Sequence, residues 1–111
     1  MLNGLYSAAA GMAAQQQRMD ALANDIANIN TTGYKQARLG FRDLLYNRER
    51  SVQVGAGAAI LDLGRNLSQG ALKQVDDPLS VAIDGPGFFQ VRRPDGSLAL
   101  TRAGDFRLDS Q

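Results

Sequence analysis

The stretch ALANDIANINTTGYKQ, Ala21 to Gln36, contains the end of a helical pattern and the signals that stop it. Leu22 and Ile26 recur at helical spacing, and a polar run that ends in Gly33 follows them. Asparagine, threonine and glycine in this order are typical of a helix C-terminus. Because glycine enters the left-handed region freely, Gly33 is predicted to turn the chain out of the helix.

A single helix is predicted upstream of this stop, from Leu2 to about Ile29. Its large apolar residues recur every seven residues, in two adjoining rows that form a seam typical of a coiled coil. We call this set the apolar stripe. It consists of Leu5, Met12, Met19, Leu22 and Ile26. No later segment of the sequence has a matching heptad pattern, so the partner helix is expected in another chain or in a part of the protein outside this sequence.

The opposite side of the same helix carries alanines and amides where a solvated face usually carries lysine and glutamate. Only Arg18, Asp20 and Asp25 are charged between Leu2 and Ile29. A helix with two packable faces is usually buried on both, although an alanine-rich surface helix is the alternative. We call this side the small-residue face. Its candidate contact residues are Ala14, Ala21, Asn24 and Asn28.

Asn28 also suits the end of the helix, whereas Asn24 lies one turn inside it and is not explained by capping. Two amides four residues apart are able to bond a neighbouring backbone without a charge penalty. Solvated asparagines are the alternative. The motif that follows, with Thr32, Gly33 and Tyr34, completes the set of candidate binding residues.

The rest of the chain predicts a connector and a β-domain. Ala37, Phe41, Leu44 and Leu45 suggest a short amphipathic turn or helix, broken by Gly40. Strands are then predicted at Ala58–Arg65, Gly70–Val75, Leu79–Asp84, Phe88–Arg93, Leu98–Arg102 and Phe106–Leu108. The sequence RPDGS between two of them is a hairpin turn, in which proline presets φ and glycine takes the left-handed position.

The predicted fold is therefore of the α+β class. A long N-terminal coiled-coil-type helix precedes a small antiparallel β-domain that is incomplete in this chain, because the last strand looks like half of a hairpin. Residues 1–33 are predicted to form the axial helix and its cap, residues 34–53 a short amphipathic connector, and residues 54–111 the first part of the β-domain.

Composition narrows the chemistry of these 111 residues. The net charge is +1, which gives no electrostatic case for binding nucleic acid or an anionic membrane. Cysteine and histidine are absent, so thiolate and imidazole chemistry are excluded and a zinc site is not expected. Gly55 and Gly57 only partly fit a dinucleotide loop, because Ile60 replaces the third glycine. No catalytic, cofactor or metal residue is predicted.

The order of the sequence motifs indicates a protein family, which composition alone does not. Ser7–Gln36 resembles the N-terminal signature of the bacterial flagellar rod and hook family, an alanine- and glutamine-rich helix followed by A-N-x-x-A-N and T-x-G-Y/F-K. Further segments are similar to the distal-rod branch in the same order. They are FRDLLY (Phe41–Tyr46), VGAGA (Val54–Ala58), LSQGAL (Leu67–Leu72), VAIDGPGFFQV (Val81–Val91) and PDGSLALTRAGDF (Pro94–Phe106). One difference is Asn47–Gln53, which is shorter than the polar segment typical of that branch.

The resemblance implies a structural subunit of the flagellar rod, without catalysis and without a cofactor. It would polymerise with further copies into a helical tube, transmit torque from motor to hook and conduct exported subunits. The implied partners are other rod and hook proteins, the flagellar type III export apparatus and the bushing-ring proteins. Neither nucleic acid nor membrane insertion is implied. The implied location is the basal body, reached without a cleaved signal peptide.

Two alternatives remain at this point. One is a proximal-rod or hook homologue of the same family. The other is a ligand-binding β-domain whose helix serves only to oligomerise.

Overall fold

The computed structural model describes residues 1–44, 47–49 and 52–110, and it confirms the predicted α+β class. Helix α1 spans Leu2–Ala27, within two residues of the predicted end. Six strands lie in the described part of the chain. They are β1 (Ala37–Asp43), β2 (Asn47–Glu49), β3 (Val52–Val54), β4 (Ala58–Arg65), β5 (Phe89–Arg92) and β6 (Leu98–Thr101).

The described chain divides into two compact units, and each is considered by itself. Met1–Ala27 and Gln36–Asn66 form the helical unit, in which α1 packs on β4 and β1. Asn28–Lys35 and the residues from Leu67 onwards form the C-terminal unit. The sequence-based division at residues 33 and 53 stays a prediction.

The strands of the helical unit follow one register. From Leu39 onwards, the two residue numbers in each antiparallel pair of β1 with β4, such as Phe41 with Ile60, add to 101. The pairs of β2 with β3, such as Arg48 with Gln53, have the same sum. The amide of Leu44 donates to the carbonyl oxygen of Gly57 at 2.8 Å, which continues that register between the ladders. In the described residues, the two ladders therefore share one register, with a shift between Ala37 and Leu39, and we call these four strands the ribbon.

The predicted amphipathic turn or helix around Phe41 is wrong, because residues 37–43 form strand β1. Leu45, which contributed to that prediction, lies outside the described residues. The predicted strand Ala58–Arg65 is confirmed as β4 with the same bounds. Backbone pairing of β1 with β4 outweighs the helical spacing of the apolar residues in β1.

A hairpin and an aromatic pair organise the C-terminal unit. Strands β5 and β6 are antiparallel and place Phe89 opposite Thr101. The ring of Phe89 meets that of Phe106 edge to face, with 5.3 Å between the ring centroids. Gly104 is buried beside them, and its carbonyl oxygen accepts a 2.9 Å hydrogen bond from the amide of Val81.

The turn of this hairpin is confirmed at the sequence RPDGS. Gly96 has a φ of 86°, and the amide of Arg93 donates to the carbonyl oxygen of Ser97 at 2.8 Å. The hydroxyl and the amide of Ser97 both donate to Asp95, and these bonds lower the pKa of that carboxyl. The turn therefore fixes the hairpin locally.

Three other strand predictions are wrong. Residues 70–75, 79–84 and 106–108 form no strand. Ser80, in the second of these segments, makes an isolated bridge to Asp105, which precedes the third. A strand needs a paired neighbour along its length. Alternation of apolar and polar residues does not supply one.

Candidate assembly surface

The apolar stripe is exposed along helix α1. Met12 is 69% exposed, Met19 is 61% exposed and Leu22 is 51% exposed. Leu5 and Ile26, at the two ends of the stripe, are exposed to a similar degree. Strands of the helical unit pack on the other side of the helix, so they leave these five side chains uncovered. Isolated exposed apolar residues are common, but a continuous row of this length is typical of a surface that binds another chain.

The small-residue face is partly covered by the chain itself. Ala14 is the buried residue of α1, with 3% of its surface exposed. At Gly57, where φ is 110°, an added Cβ would lie 2.7 Å from the Cβ of Ala10, so the ribbon approaches the helix very closely there. One turn beyond Ala14, the Arg18 guanidinium lies 5.6 Å from the ring centroid of Phe41. The ribbon therefore occupies this side of the helix.

This packing changes the assignment of Ala14. The sequence analysis placed Ala14 in a contact between chains, whereas the structure covers it inside its own chain. Ala21 and Asn28 are half-buried and Asn24 is exposed. A contact of these three residues with a neighbouring chain stays a prediction.

Ala14→Leu should destabilise the helical unit. The larger side chain has no room between α1 and the ribbon, and overpacking of this kind costs about 1–3 kcal/mol in the free energy of unfolding. Chemical denaturation followed by circular dichroism measures the effect. Ala13→Leu is the matched control, since Ala13 is the exposed neighbour on the same helix. Equal stability of the two variants would contradict the packing described here.

The segment after the helix belongs to the C-terminal unit and is held there by a close backbone contact. The amide of Thr31 donates to the carbonyl oxygen of Asn28 at 3.0 Å, and its hydroxyl donates to the Asn28 side chain at 3.1 Å. Gly33 follows with a φ of 69°, which confirms the predicted left-handed turn. A Cβ on Gly33 would lie 2.6 Å from the carbonyl carbon of Arg102 and 2.7 Å from the amide nitrogen of Ala103. Only glycine fits this position.

Arg102 joins three parts of the C-terminal unit through its guanidinium group. Nη2 donates to the Gln69 side chain at 2.7 Å and to the carbonyl oxygens of Ile83 at 2.9 Å and Gly85 at 2.5 Å. Nη1 donates to the carbonyl oxygen of Gly87. The planar fork of donors thus fixes the glycine-rich corner between Ile83 and Gly87. Sequence reasoning missed this role, because a convergence of backbone carbonyls leaves no spacing signal.

Arg102→Lys should loosen that corner while keeping the positive charge. A lysine ammonium cannot reach acceptors spread over this arc, so two or more hydrogen bonds to a charged donor are lost, at roughly 2–4 kcal/mol in all. Amide hydrogen exchange at Gly85 and Gly87 should become faster. Arg93→Lys, at an exposed arginine of the same unit, provides the comparison. Exchange at the corner that stays at the parental rate would show that Arg102 does not hold it.

A groove of about 360 Å³ lies beside Arg102 in the same unit. It is lined by Lys35, Leu67, Gln69, Gly85, Pro86, Gly87, Phe88 and Arg102. The ammonium of Lys35 donates to the carbonyl oxygen of Ser68 at 3.0 Å. The lining residues include neither a carboxylate nor a hydroxyl, so they hold no nucleophile with a base. In the described part of the chain, no group of three or more acidic side chains is placed to bind a metal ion.

Comparisons with known proteins match both units. Residues 5–35 match the family model described as flagella basal body rod protein, and residues 82–111 match the model for the flagellar hook protein FlgE/F/G D1 domain. The flagellar basal-body rod protein FlgG of Agrobacterium fabrum is 44% identical over 95% of this chain and 46% of the relative. The FlgG protein of Borreliella burgdorferi is 39% identical over 99% of this chain and 47% of the relative.

This chain belongs to the flagellar rod and hook protein family. The resemblance predicted from the motifs is thereby confirmed, including its rod-type character. The hook protein FlgE of Treponema pallidum is also similar, with 33% identity over 99% of this chain and 26% of the relative. The chain spans about half the length of the curated FlgG relatives it matches. Its alignment with the Borreliella protein has 124 positions against 111 residues here, so at least 13 positions have no residue of this chain.

The two family matches meet in the C-terminal unit. Gly33 lies in the segment that matches the rod model, and Arg102 and Ala103 lie in the segment that matches the rod and hook D1 model. The backbones of the two matched segments, which we call the two family signatures, are therefore in contact in this rod and hook chain. Beside this contact, Thr32 is exposed and Tyr34 is half-buried.

No described helix of this rod and hook protein combines the length and the hydropathy that crossing a membrane requires.

Proposed function

We propose that the complete protein is a structural subunit of the bacterial flagellar rod. It polymerises into a helical tube that transmits torque from the motor to the hook and conducts exported subunits. It carries out no catalysis and needs no cofactor. The observation that carries this proposal is the exposed apolar stripe, in a chain whose relatives are named basal-body rod proteins.

The stripe supports assembly on energetic grounds. A fully buried leucine, isoleucine or methionine side chain contributes about 1.5–3 kcal/mol. The five stripe residues are each at least 51% exposed, so most of this gain is still to be made. Helix α1 is the only helix in the described residues. The stripe is therefore completed by a helix from elsewhere in the protein or from another subunit.

The resemblance to the family supports the remaining partners of the proposal. Other rod and hook proteins adjoin the polymer at its ends, and the bushing-ring proteins surround it. The subunit reaches the basal body through the flagellar type III export apparatus, without a cleaved signal peptide. Ala21, Asn24 and Asn28 contact neighbouring subunits in the assembled wall.

The experiment is assembly of the purified complete protein. Sedimentation and electron cryo-microscopy should show a polymer above a critical concentration, with helix α1 in the wall of a hollow tube. A protein that stays monomeric at all concentrations and binds a small ligand saturably would instead be a ligand-binding β-domain.

A hook homologue is the second candidate, favoured by the similarity to the Treponema pallidum hook protein over 99% of this chain. Immunogold labelling of isolated basal bodies separates the two. Label on the rod supports the rod subunit, and label confined to the hook supports the alternative.

A further inference from the structure

The oxidisable sulfur atoms of this chain are concentrated on the apolar stripe. The sequence has three methionines and no cysteine. Two of the three, Met12 and Met19, lie seven residues apart on the stripe, with 69% and 61% of their surfaces exposed. A small oxidant therefore reaches both thioethers as long as no partner helix covers them.

We propose that Met12 and Met19 are oxidation sites through which peroxide blocks assembly of the free subunit, and that burial in the polymer protects both. The inference rests on the proposed function, because it requires the stripe to be an assembly surface. It adds a chemical condition, because the stripe supports assembly only while the sulfur atoms of Met12 and Met19 are reduced.

The reaction is a two-electron oxidation with hydrogen peroxide as the oxidant. A lone pair of the thioether sulfur attacks one peroxide oxygen, the O–O bond breaks and an S–O bond forms. The departing hydroxide takes the proton left on the transferred oxygen and leaves as water. Sulfur is oxidised to the sulfoxide and peroxide is reduced to water, so atoms and electrons balance.

The position of the two residues makes this modification consequential. Methionine sulfoxide is polar and carries a strong acceptor oxygen in place of a flexible apolar side chain. The other stripe residues, Leu5, Leu22 and Ile26, offer no hydrogen-bond donor. Backbone amides within a helix are already bonded to its own carbonyls. A sulfoxide buried in this seam therefore finds no hydrogen-bond donor among the other stripe residues or the backbone of α1, which opposes assembly.

Met1, which is fully exposed and lies outside helix α1, has no place in the stripe and reports the oxidant dose.

The test uses the complete protein. Free subunit is treated with hydrogen peroxide, the peroxide is removed with catalase, and peptide mass spectrometry measures oxidation at each methionine. The critical concentration for polymerisation is then measured by sedimentation. Oxidation of Met12 and Met19 should raise it about tenfold or more, equivalent to about 1.4 kcal/mol. Methionine sulfoxide reductase should restore the original value.

The matched control is the double variant Met12→Leu/Met19→Leu, because leucine is close to methionine in volume and is inert to peroxide. Its polymerisation should not respond to the same treatment. If the variant loses assembly as strongly as the parent protein, the sensitive sites lie elsewhere and the inference is wrong. Reductase rescue of the parent protein gives a second measurement that does not depend on how the variant folds, and failure of that rescue would also overturn the inference.

A second arm treats preformed polymer with peroxide. Met12 and Met19 should be oxidised at least about tenfold more slowly than in the free subunit, while Met1 serves as the reference for dose. Equal rates in polymer and subunit would mean that assembly does not cover the stripe.

Failure of the untreated protein to polymerise would count against the proposed function itself. Normal assembly without oxidant sensitivity would overturn only the present inference.

Discussion

Met19→Asp in the complete subunit should abolish polymerisation. Met19 lies in the middle of the apolar stripe, 61% exposed and flanked at seven-residue spacing by Met12 and Ile26. Assembly would bury the new carboxylate among apolar side chains with no cation on the stripe. An uncompensated buried charge costs roughly 3–5 kcal/mol. The critical concentration measured by sedimentation should therefore rise by at least about a hundredfold.

Met19→Leu is the control for this substitution and should assemble like the parent protein, since it keeps the volume and the apolar character of the side chain. The C-terminal unit should fold equally well in both variants, because Met19 lies in the other unit. Tubes that form from Met19→Asp at the parental concentration would show that the stripe is misassigned.

Gly33→Val should detach the segment after helix α1 from the C-terminal unit. A valine at this position combines two penalties. The backbone φ of 69° lies in the left-handed region, which costs a β-branched residue about 1–2 kcal/mol, and its Cβ would overlap the Arg102 backbone at 2.6 Å. With the overpacking included, we expect a loss of about 2–5 kcal/mol in the stability of the C-terminal unit.

Hydrogen exchange measures this effect, with faster exchange expected at Tyr34 and at the end of β6. Gly70→Ala is the matched control in the same unit. Gly70 has no positive φ, and an added Cβ there would meet no atom within 4 Å. If Gly33→Val and Gly70→Ala exchange alike, the contact between the two family signatures contributes nothing to stability.

Local chemistry explains which elements were predictable. Helix α1 was found within two residues at its end, because a heptad pattern of this length and a glycine stop are properties of the segment itself. The turn at Gly96 was found because proline, aspartate and glycine dictate its backbone. Strand β4 was predictable because apolar residues alternate with polar residues there and glycines mark the bends.

Tertiary pairing explains the errors. Phe41 and Leu44 are spaced as on a helix, yet this segment pairs with the strand that contains Ile60. At residues 70–75 and 79–84 strands were predicted and not found, since no strand among the described residues pairs along those segments. Pairing partners are distant in sequence, and a single sequence does not reveal them.

The candidate site shows a similar division. Periodicity identified both faces of α1 but not what covers them, so Ala14 was assigned to a contact between chains although it packs on its own ribbon. Gly33 was identified because its residue type signals its backbone conformation. The role of Arg102 was missed, because the carbonyls it binds belong to a corner whose path only the folded chain defines.

Because the ribbon has a single register, its length can change in evolution without changing how it packs on α1. Residues inserted in equal numbers on the two strands between Glu49 and Val52 leave the pairing of Phe41 with Ile60 and the packing on α1 unchanged. Each added pair lengthens such a ribbon by about 3.4 Å, so a dozen extra residues extend it by roughly 20 Å. Homologues are thus free to differ in the length of the ribbon while the packing of the ribbon on α1 stays the same.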